Sequence, residues 1–248
     1  MKDIESPVLE NRYIGEKTYR LILRTDLEGI HIKPGQFLML KVGFGSDPLL
    51  RRAFAVAEVD GGDISVFYDV IGRGTYYLSK LKAGDTVKVL LPLGRGSFPL
   101  DGNEHVLIGG GIGIAGLTLL GRELKKRGKK ITFVYGAKSR EFLTLKDYLF
   151  ENFEEVILFT EDGSEGNKGY VTDILKDLKG GETIHACGPK PMLLAFKKFA
   201  SRFKIFLSLE APMACGWGVC LGCVVKKGKK YVRTCYEGPV FEASEVDL

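Results

Sequence analysis

The chain is short of side-chain amides: glutamine occurs once, at Gln36, and asparagine four times in 248 residues. Amides are thermolabile, so their scarcity matches the composition of heat-adapted proteins. Histidine occurs three times (His31, His105, His185), in no spacing that makes a metal knuckle or a catalytic base. No nucleophile-and-base set that would mark a hydrolase can be picked out. No apolar run approaches the length needed to cross a bilayer, so no membrane partner is expected. The start, Met1-Lys-Asp-Ile-Glu-Ser, lacks the apolar core of a secretory signal, and a reducing, cytoplasmic location is expected. Internal repeats and low-complexity tracts are missing as well. The net charge of +5 is mild, with basic runs only at Lys125–Lys130 and Lys226–Lys230. Both runs read as solvated, one ending a helix and one turning a hairpin, so no nucleic-acid partner is expected.

What is present suffices for two domains with cores of their own, at 45% hydrophobic and 27% charged residues. Up to about residue 100 the chain reads as strands: Tyr19–Arg24, Gln36–Val42, Ala53–Val59, Asp63–Val70 and Thr86–Leu91 mix apolar and polar residues at strand period. Lys33-Pro-Gly and Asp60-Gly-Gly punctuate them, and a helical piece begins at Thr75. Short strands at this spacing predict a small antiparallel barrel over 1–100. From Asp101 the pattern alternates strand and helix: strands at His105–Gly109, Lys130–Gly136, Glu155–Thr160, Thr183–Gly188 and Phe203–Leu209, with helices at Leu117–Lys126, Leu143–Phe150, Val171–Leu178 and Met192–Arg202. That alternation predicts a doubly wound parallel sheet over 101–209.

Four of the five cysteines crowd the remaining segment, 210–248, as Cys215, Cys220, Cys223 and Cys235. C-x4-C-x2-C with a distant fourth cysteine is the spacing of plant-type [2Fe–2S] proteins. Three thiolates on a short loop wrap one side of a small cluster, and the fourth comes from a separate element. Structural zinc favours two paired knuckles, and disulfides do not suit a reducing compartment. Gly216, Gly218 and Gly222 between the ligands permit tight turns that bring amides up to the sulfurs.

Three further stretches allow two readings each. Gly109-Gly-Gly-Ile-Gly113 follows a strand and precedes a helix, where backbone amides would meet a pyrophosphate; tight turns also need glycine. Ile71-Gly-Arg-Gly-Thr75 is an anion site or a plain helix cap with Thr75 as N-cap. Arg51-Arg52 is a phosphate clamp or a pair of solvated strand-end arginines. Cys187 stands apart from the other cysteines and reads as an inert packing residue.

Taken together, Arg52-Ala-Phe-Ala55, Gly72-Arg-Gly-Thr75, the glycine turn, Ala186-Cys-Gly-Pro189 and Glu210-x-x-Met-x-Cys-Gly-x-Gly-x-Cys-x-Gly-Cys223 resemble the ferredoxin–NADP reductase superfamily. The last segment most resembles the electron-transfer subunits of NAD-dependent dihydroorotate dehydrogenases. The resemblance runs over nearly the whole chain, in order. It implies FAD on the barrel, with Arg52, Ala53, Phe54 and Ala55 along the flavin, Gly74 and Thr75 on its phosphates, and Phe67, Tyr68 and Asp69 by its adenosine. It implies NAD(H) against Gly110, Gly111, Ile112, Gly113, Cys187 and Gly188, and cluster ligation by Cys215, Cys220, Cys223 and Cys235. It further implies an FMN-containing dihydroorotate dehydrogenase catalytic subunit as partner, two copies of each chain assembling as a heterotetramer. Electrons would pass from dihydroorotate, through the partner's flavin, the cluster and FAD, to NAD, or in reverse. A diaphorase subunit of a sulfhydrogenase or of a bifurcating transhydrogenase would be built from the same parts. A cluster-bearing adaptor without catalysis is the alternative of another class. Ala53 and Ala55 stand where the family carries proline and serine, and Gly116 where relatives often carry proline. Ser139-Arg140 occupies the place where NADP-using relatives hold a 2′-phosphate.

Overall fold

The computed structural model describes residues 1–43, 45 and 47–248. Its first part is β1 (Lys2–Gly15), β2 (Thr18–Arg24), β3 (Phe37–Lys41), β4 (Arg52–Ala55), β5 (Glu58–Asp60), β6 (Asp63–Asp69), α1 (Arg73–Leu78) and β7 (Thr86–Leu93). These strands form one antiparallel sheet in the order β4-β3-β7-β1-β2-β6-β5. The chain steps from one edge to the other between β4 and β5: Val56 donates to the Gln36 carbonyl and Ala57 to that of Ser65, which curls the sheet toward a barrel. β1 pairs with β7 through residues 2–7 and with β2 through residues 8–15. Pro7 sits at that handover, where a missing N–H costs the ladder least. The interior is Val8, Leu21, Leu23, Leu38, Leu40, Ile64, Val66, Val87, Val89 and Leu91, all buried.

The second part runs β8 (Glu104–Gly110), α2 (Ala115–Lys126), β9 (Lys130–Ala137), α3 (Lys146–Asn152), β10 (Val156–Thr160), β11 (Asn167–Lys168), β12 (Thr183–Cys187), α4 (Lys190–Lys197) and β13 (Lys204–Ser208). The last part adds β14 (Val224–Lys227), β15 (Lys230–Arg233), β16 (Val240–Glu242) and β17 (Val246–Asp247). The second sheet has the order β11-β10-β9-β8-β12-β13-β16, parallel except for β16, which lies antiparallel on β13. Val171–Leu178, expected as an α-helix, holds a 3-10 turn over Val171–Lys176, and α4 ends at Lys197. β14, β15 and β17 make a small sheet of their own. Among the described residues no helix is long and apolar enough to cross a membrane.

The two large sheets share one core. Ala57, Phe67 and Phe98 from the first part pack with Leu107, Ile114, Leu117, Tyr135 and Leu149 from the second. Glu58 is buried at this junction. Its carboxylate accepts from Ser65 Oγ (2.6 Å), Arg20 Nη2 (2.5 Å), Tyr148 OH (2.9 Å) and Arg122. Arg122 lies on α2 and Tyr148 on α3, so one carboxylate ties both helices to the barrel.

His105 and His185, which the sequence leaves unconnected, meet on neighbouring strands β8 and β12 with Nδ1 and Nε2 3.0 Å apart. Phe98 and Phe206 pack on His185, with ring centroids at 5.3 and 5.9 Å. Burial, then His105 and Lys204, push the His185 pKa down to about 3. An imidazole kept neutral by the fold gives stability that is whole above its ordinary pKa, about 6.5, and lost as pH falls toward the depressed value. Unfolding free energy should drop by about 2 kcal/mol on going down to about pH 5. His185→Phe should flatten that slope in a urea titration run at several pH values.

Candidate functional site

The C-terminal segment is pinned to both larger parts. Arg95 and Gly96 donate to the carbonyls of Tyr236 and Gly238, and Leu209 donates to that of Pro239. Cys223 and Cys235 are buried with Phe37, Met39 and Leu93 of the barrel, while Cys215 and Cys220 lie nearer the surface. None of the five cysteines is in a disulfide. Cys220 is a neighbour of Cys215, and Cys235 of Cys223, through backbone amides that face the sulfurs. Among the described residues no three His, Cys, Asp or Glu side chains converge as they would around a single ion.

The loop between the cysteines turns amides toward sulfur. Val219 N–H donates to Cys215 Sγ and Cys235 N–H to Cys223 Sγ, both at 3.4 Å. Burial disfavours the Cys215 thiolate, but the amides of Cys220, Trp217 and Val219 outweigh it and bring the thiol down to about 6. Cys235, by contrast, is pushed up to about 12 by burial and by Cys223. Gly218 has φ +92°, and a side chain there would run into the Tyr236 ring; the turn needs glycine on both counts.

Beside this loop a cleft of about 490 Å³ is lined by Met1, Leu49, Leu50, Ala214, Cys215 and Trp217 among others. Trp217, Val219 and Leu221 are 49%, 68% and 60% exposed. That is much apolar surface for three neighbouring positions.

The glycine turn lies at the point where strand order reverses, between β8 and β12. Residues Gly111–Ile114 form a 3-10 turn that runs straight into α2. A side chain on Gly113 would meet the Cys187 carbonyl at 2.6 Å, and one on Gly188 the Gly110 amide at 3.0 Å. The glycine turn and the end of β12 thus pack backbone to backbone, with Met192 against Gly110 and Gly188. Nothing lies within 4 Å of where a Gly111 side chain would project. Ile112 is partly buried against the shared core.

Ala55 of β4, Gly116 of α2 and Cys187 of β12 converge, although they lie far apart in the chain. A Cβ on Gly116 would be 3.5 Å from that of Ala55 and 3.3 Å from Cys187 Sγ. Two departures from the family pattern, alanine for serine and glycine for proline, therefore face each other across one gap. Burial, then Glu210, push the Cys187 thiol well above its ordinary value, so it stays protonated and inert.

On the barrel, the two arginines part ways. Arg51 makes a two-pronged ion pair with Asp3 at 3.0 and 2.8 Å. Arg52 lies across Gly74 at the start of α1, where a Cβ would strike its guanidinium, and donates to the Leu50 carbonyl. The N-cap of α1 is Gly72, not Thr75. The Thr75 hydroxyl accepts from the amides of Ile71 and Gly72 at 3.0 and 3.2 Å. Ala53 and Phe54 alternate along β4, and Phe54 tilts onto Tyr68 with centroids 5.7 Å apart. Phe67 packs edge-on to Tyr148 at 5.2 Å, Tyr68 OH donates to Asn11 Oδ1 (2.9 Å), and Asp69 accepts from Thr18 Oγ1 (2.7 Å).

This is the two-part frame of the ferredoxin reductases, with an iron–sulfur segment appended. The chain of an NADH-dependent reduced ferredoxin–NADP oxidoreductase superposes with TM-score 0.87 at 29% identity, over 98% of this chain and 89% of that one. A ferredoxin–NADP+ reductase of Neisseria gonorrhoeae, solved with FAD and NADP, shares the fold at TM-score 0.67 and 18% identity, over 82% and 92% of the two chains. Residues 210–247 match the family described as the iron–sulfur cluster binding domain of dihydroorotate dehydrogenase B. Full-length relatives are the dihydroorotate dehydrogenase B (NAD(+)) electron transfer subunit homolog of Aquifex aeolicus, 49% identical, and the electron transfer subunit of Fusobacterium nucleatum, 36% identical, each covered over 100% of both chains. The chain belongs to the family of dihydroorotate dehydrogenase B electron transfer subunits. It is an oxidoreductase of the FAD, iron–sulfur and NAD type, as the sequence motifs imply.

Proposed function

We propose that this chain carries electrons between NAD(H) and an FMN-containing catalytic subunit that interconverts dihydroorotate and orotate, two copies of each forming the complex. The observation that carries this reading is the convergence of Ala55, Gly116 and Cys187 between the barrel and the nucleotide sheet, with the cysteine loop on the same barrel. When bound, FAD would exchange hydride with the nicotinamide and single electrons with the [2Fe–2S] cluster.

The chain's own residues hold and align. Arg52 sets a permanently charged fork over the bare start of α1, suited to the flavin phosphates. Gly111 leaves the turn into α2 open to a pyrophosphate, while Gly110, Gly113 and Gly188 let the surrounding backbone pack closely enough to shape that turn. Ala55 and Cys187 supply a small, uncharged wall where the rings would stack, which suits hydride transfer because it needs alignment and no acid or base. Four cysteines at this spacing, Cys215, Cys220, Cys223 and Cys235, with amides aimed at the sulfurs of Cys215 and Cys223, suit a two-iron cluster. The Ser139 hydroxyl donates to Glu141 (2.6 Å), and that carboxylate, held low by the bond, would repel a 2′-phosphate. NADH is therefore the favoured dinucleotide.

The exposed Trp217, Val219 and Leu221 beside the cleft would meet the partner. Trp217→Ala should weaken association about 10- to 30-fold, read by titration calorimetry, while the cluster's EPR signal is retained. The reading as a whole is tested by reconstitution. The chain alone should pass electrons from NADH to a dye, and orotate should form only when the catalytic subunit is added. Orotate formation by the chain alone, or none with the partner, would contradict it. In the second case a bifurcating or sulfhydrogenase partner becomes the better assignment, given the 29% identity to the ferredoxin–NADP oxidoreductase chain.

A further inference from the structure

Arg233 is not a cysteine, yet it reaches into the cysteine loop while Glu237 holds it from the other side. Its Nη1 donates to the Gly218 carbonyl at 2.7 Å. That carbonyl belongs to the same peptide unit as the Val219 N–H, which donates to Cys215 Sγ at 3.4 Å. One rigid, planar amide is therefore held at its oxygen by a guanidinium and delivers its proton to a sulfur. A cation on the carbonyl polarises the amide and strengthens what the N–H gives.

The guanidinium is itself clamped. Glu237 accepts from Arg233 Nε at 3.0 Å and from its Nη2, and from the Arg233 backbone amide at 2.7 Å. The Tyr236 ring lies 4.5 Å from the Arg233 Cζ and 3.9 Å from that of Arg95. Residues 233–237 thus surround Cys235 while one of them grips the loop of Cys215 and Cys220.

We propose that Arg233 is a positioning residue for the cluster: its grip on the Gly218 carbonyl aims and polarises the Val219 N–H at the Cys215 sulfur and raises the reduction potential. Reduction adds one negative charge to a cluster, and hydrogen bonds to its sulfurs stabilise that charge. The inference rests on the reading of Cys215 as a cluster ligand.

The test is an EPR-monitored redox titration of the intact chain with its cluster, in wild type, Arg233→Met and Arg233→Lys. Both variants should need a potential lower by about 59 mV, a tenfold change in the reduced-to-oxidised ratio for one electron. Lysine keeps the charge but lacks the fork that reaches both Glu237 and Gly218. If Arg233→Lys restores the wild-type potential, charge alone is enough and the relay is overturned; unchanged potentials in both variants overturn it too. Glu237→Gln, which leaves Arg233 in place but loosens it, covers the case in which those variants do not assemble. It should also lower the potential, whereas simple removal of a negative charge would raise it, and a rise or no change overturns the proposal. If wild type gives no [2Fe–2S] signal on reduction, it is the cluster reading itself that fails.

Discussion

Cys223→Ser should give a chain that still lets NADH reduce a dye but no longer delivers electrons to the catalytic subunit. Cys223 is 3% exposed and packed with Phe37, Met39 and Leu93, and the Cys235 amide donates to its sulfur. A serine hydroxyl is a harder, far less acidic donor than a thiol, and iron–sulfur clusters are held by thiolates. Loss of an outer-shell partner costs roughly 10–100-fold, and loss of a ligand should cost more. The Ala55–Gly116–Cys187 gap lies apart from this packing, so dye reduction should keep nearly the wild-type rate. Steady-state assays with and without the partner, beside EPR of the reduced chain, separate the two activities. Undiminished relay in Cys223→Ser would remove Cys223 from the ligand set.

Glu58→Ala should be the most destabilising single change at the junction of the two large parts. The carboxylate is 8% exposed and accepts from four side chains, two of them guanidinium groups. Removing one partner of a buried ion pair typically costs 3–5 kcal/mol, because the remaining charge is left uncompensated. Arg20 and Arg122 keep 24% and 35% of their side-chain surface in water and can rehydrate, so about 3 kcal/mol is expected here. In a domain of this size that amounts to roughly 6–12 °C in melting temperature. Burial opposes the charged form of Glu58, but Ser65, Arg20 and Tyr148 reverse it and hold its pKa below the ordinary value. The stability it gives is therefore present above about pH 4.3 and lost as pH falls through the lowered value. Scanning calorimetry at neutral pH checks the magnitude. Because α2 and α3 are both tied through this carboxylate, dye reduction by NADH should fall along with stability.

Local signals made most of the architecture legible. Strand-period alternation located β2, β3, β6 and β7, and the alternation of strand and helix located the parallel sheet. The cysteine spacing and the glycine turn are likewise local patterns, and they fell where a loop and a strand-to-helix turn were needed. What the sequence hid depends on distant partners. β1 is hidden in the sequence because Ser6-Pro7 and its charged residues break the strand pattern, and its pairing is divided between two neighbours. Ala53–Val59 reads as one strand but is two, because the chain changes edges at Val56 and Ala57. The Glu58 junction assembles residues 20, 65, 122 and 148, and the histidine pair joins positions 80 residues apart. Arg233 has no motif at all. A signal was available in Arg233-x-x-x-Glu237 next to a glycine-rich loop, but such charge pairs are common on surfaces and usually contribute little.

The central claim is that a dinucleotide would deliver a pair of electrons to a bound flavin, and that a cluster held by Cys215, Cys220, Cys223 and Cys235 would pass them on singly. Anaerobic titration of the purified chain with dithionite, followed by visible absorption and EPR together, tests it most directly. The account predicts bleaching of flavin bands, a reduced [2Fe–2S] signal, and about three electrons taken up per chain, with NADH able to replace dithionite for the flavin. A chain without flavin absorption, or one whose four cysteines hold zinc and give no EPR signal, would contradict it.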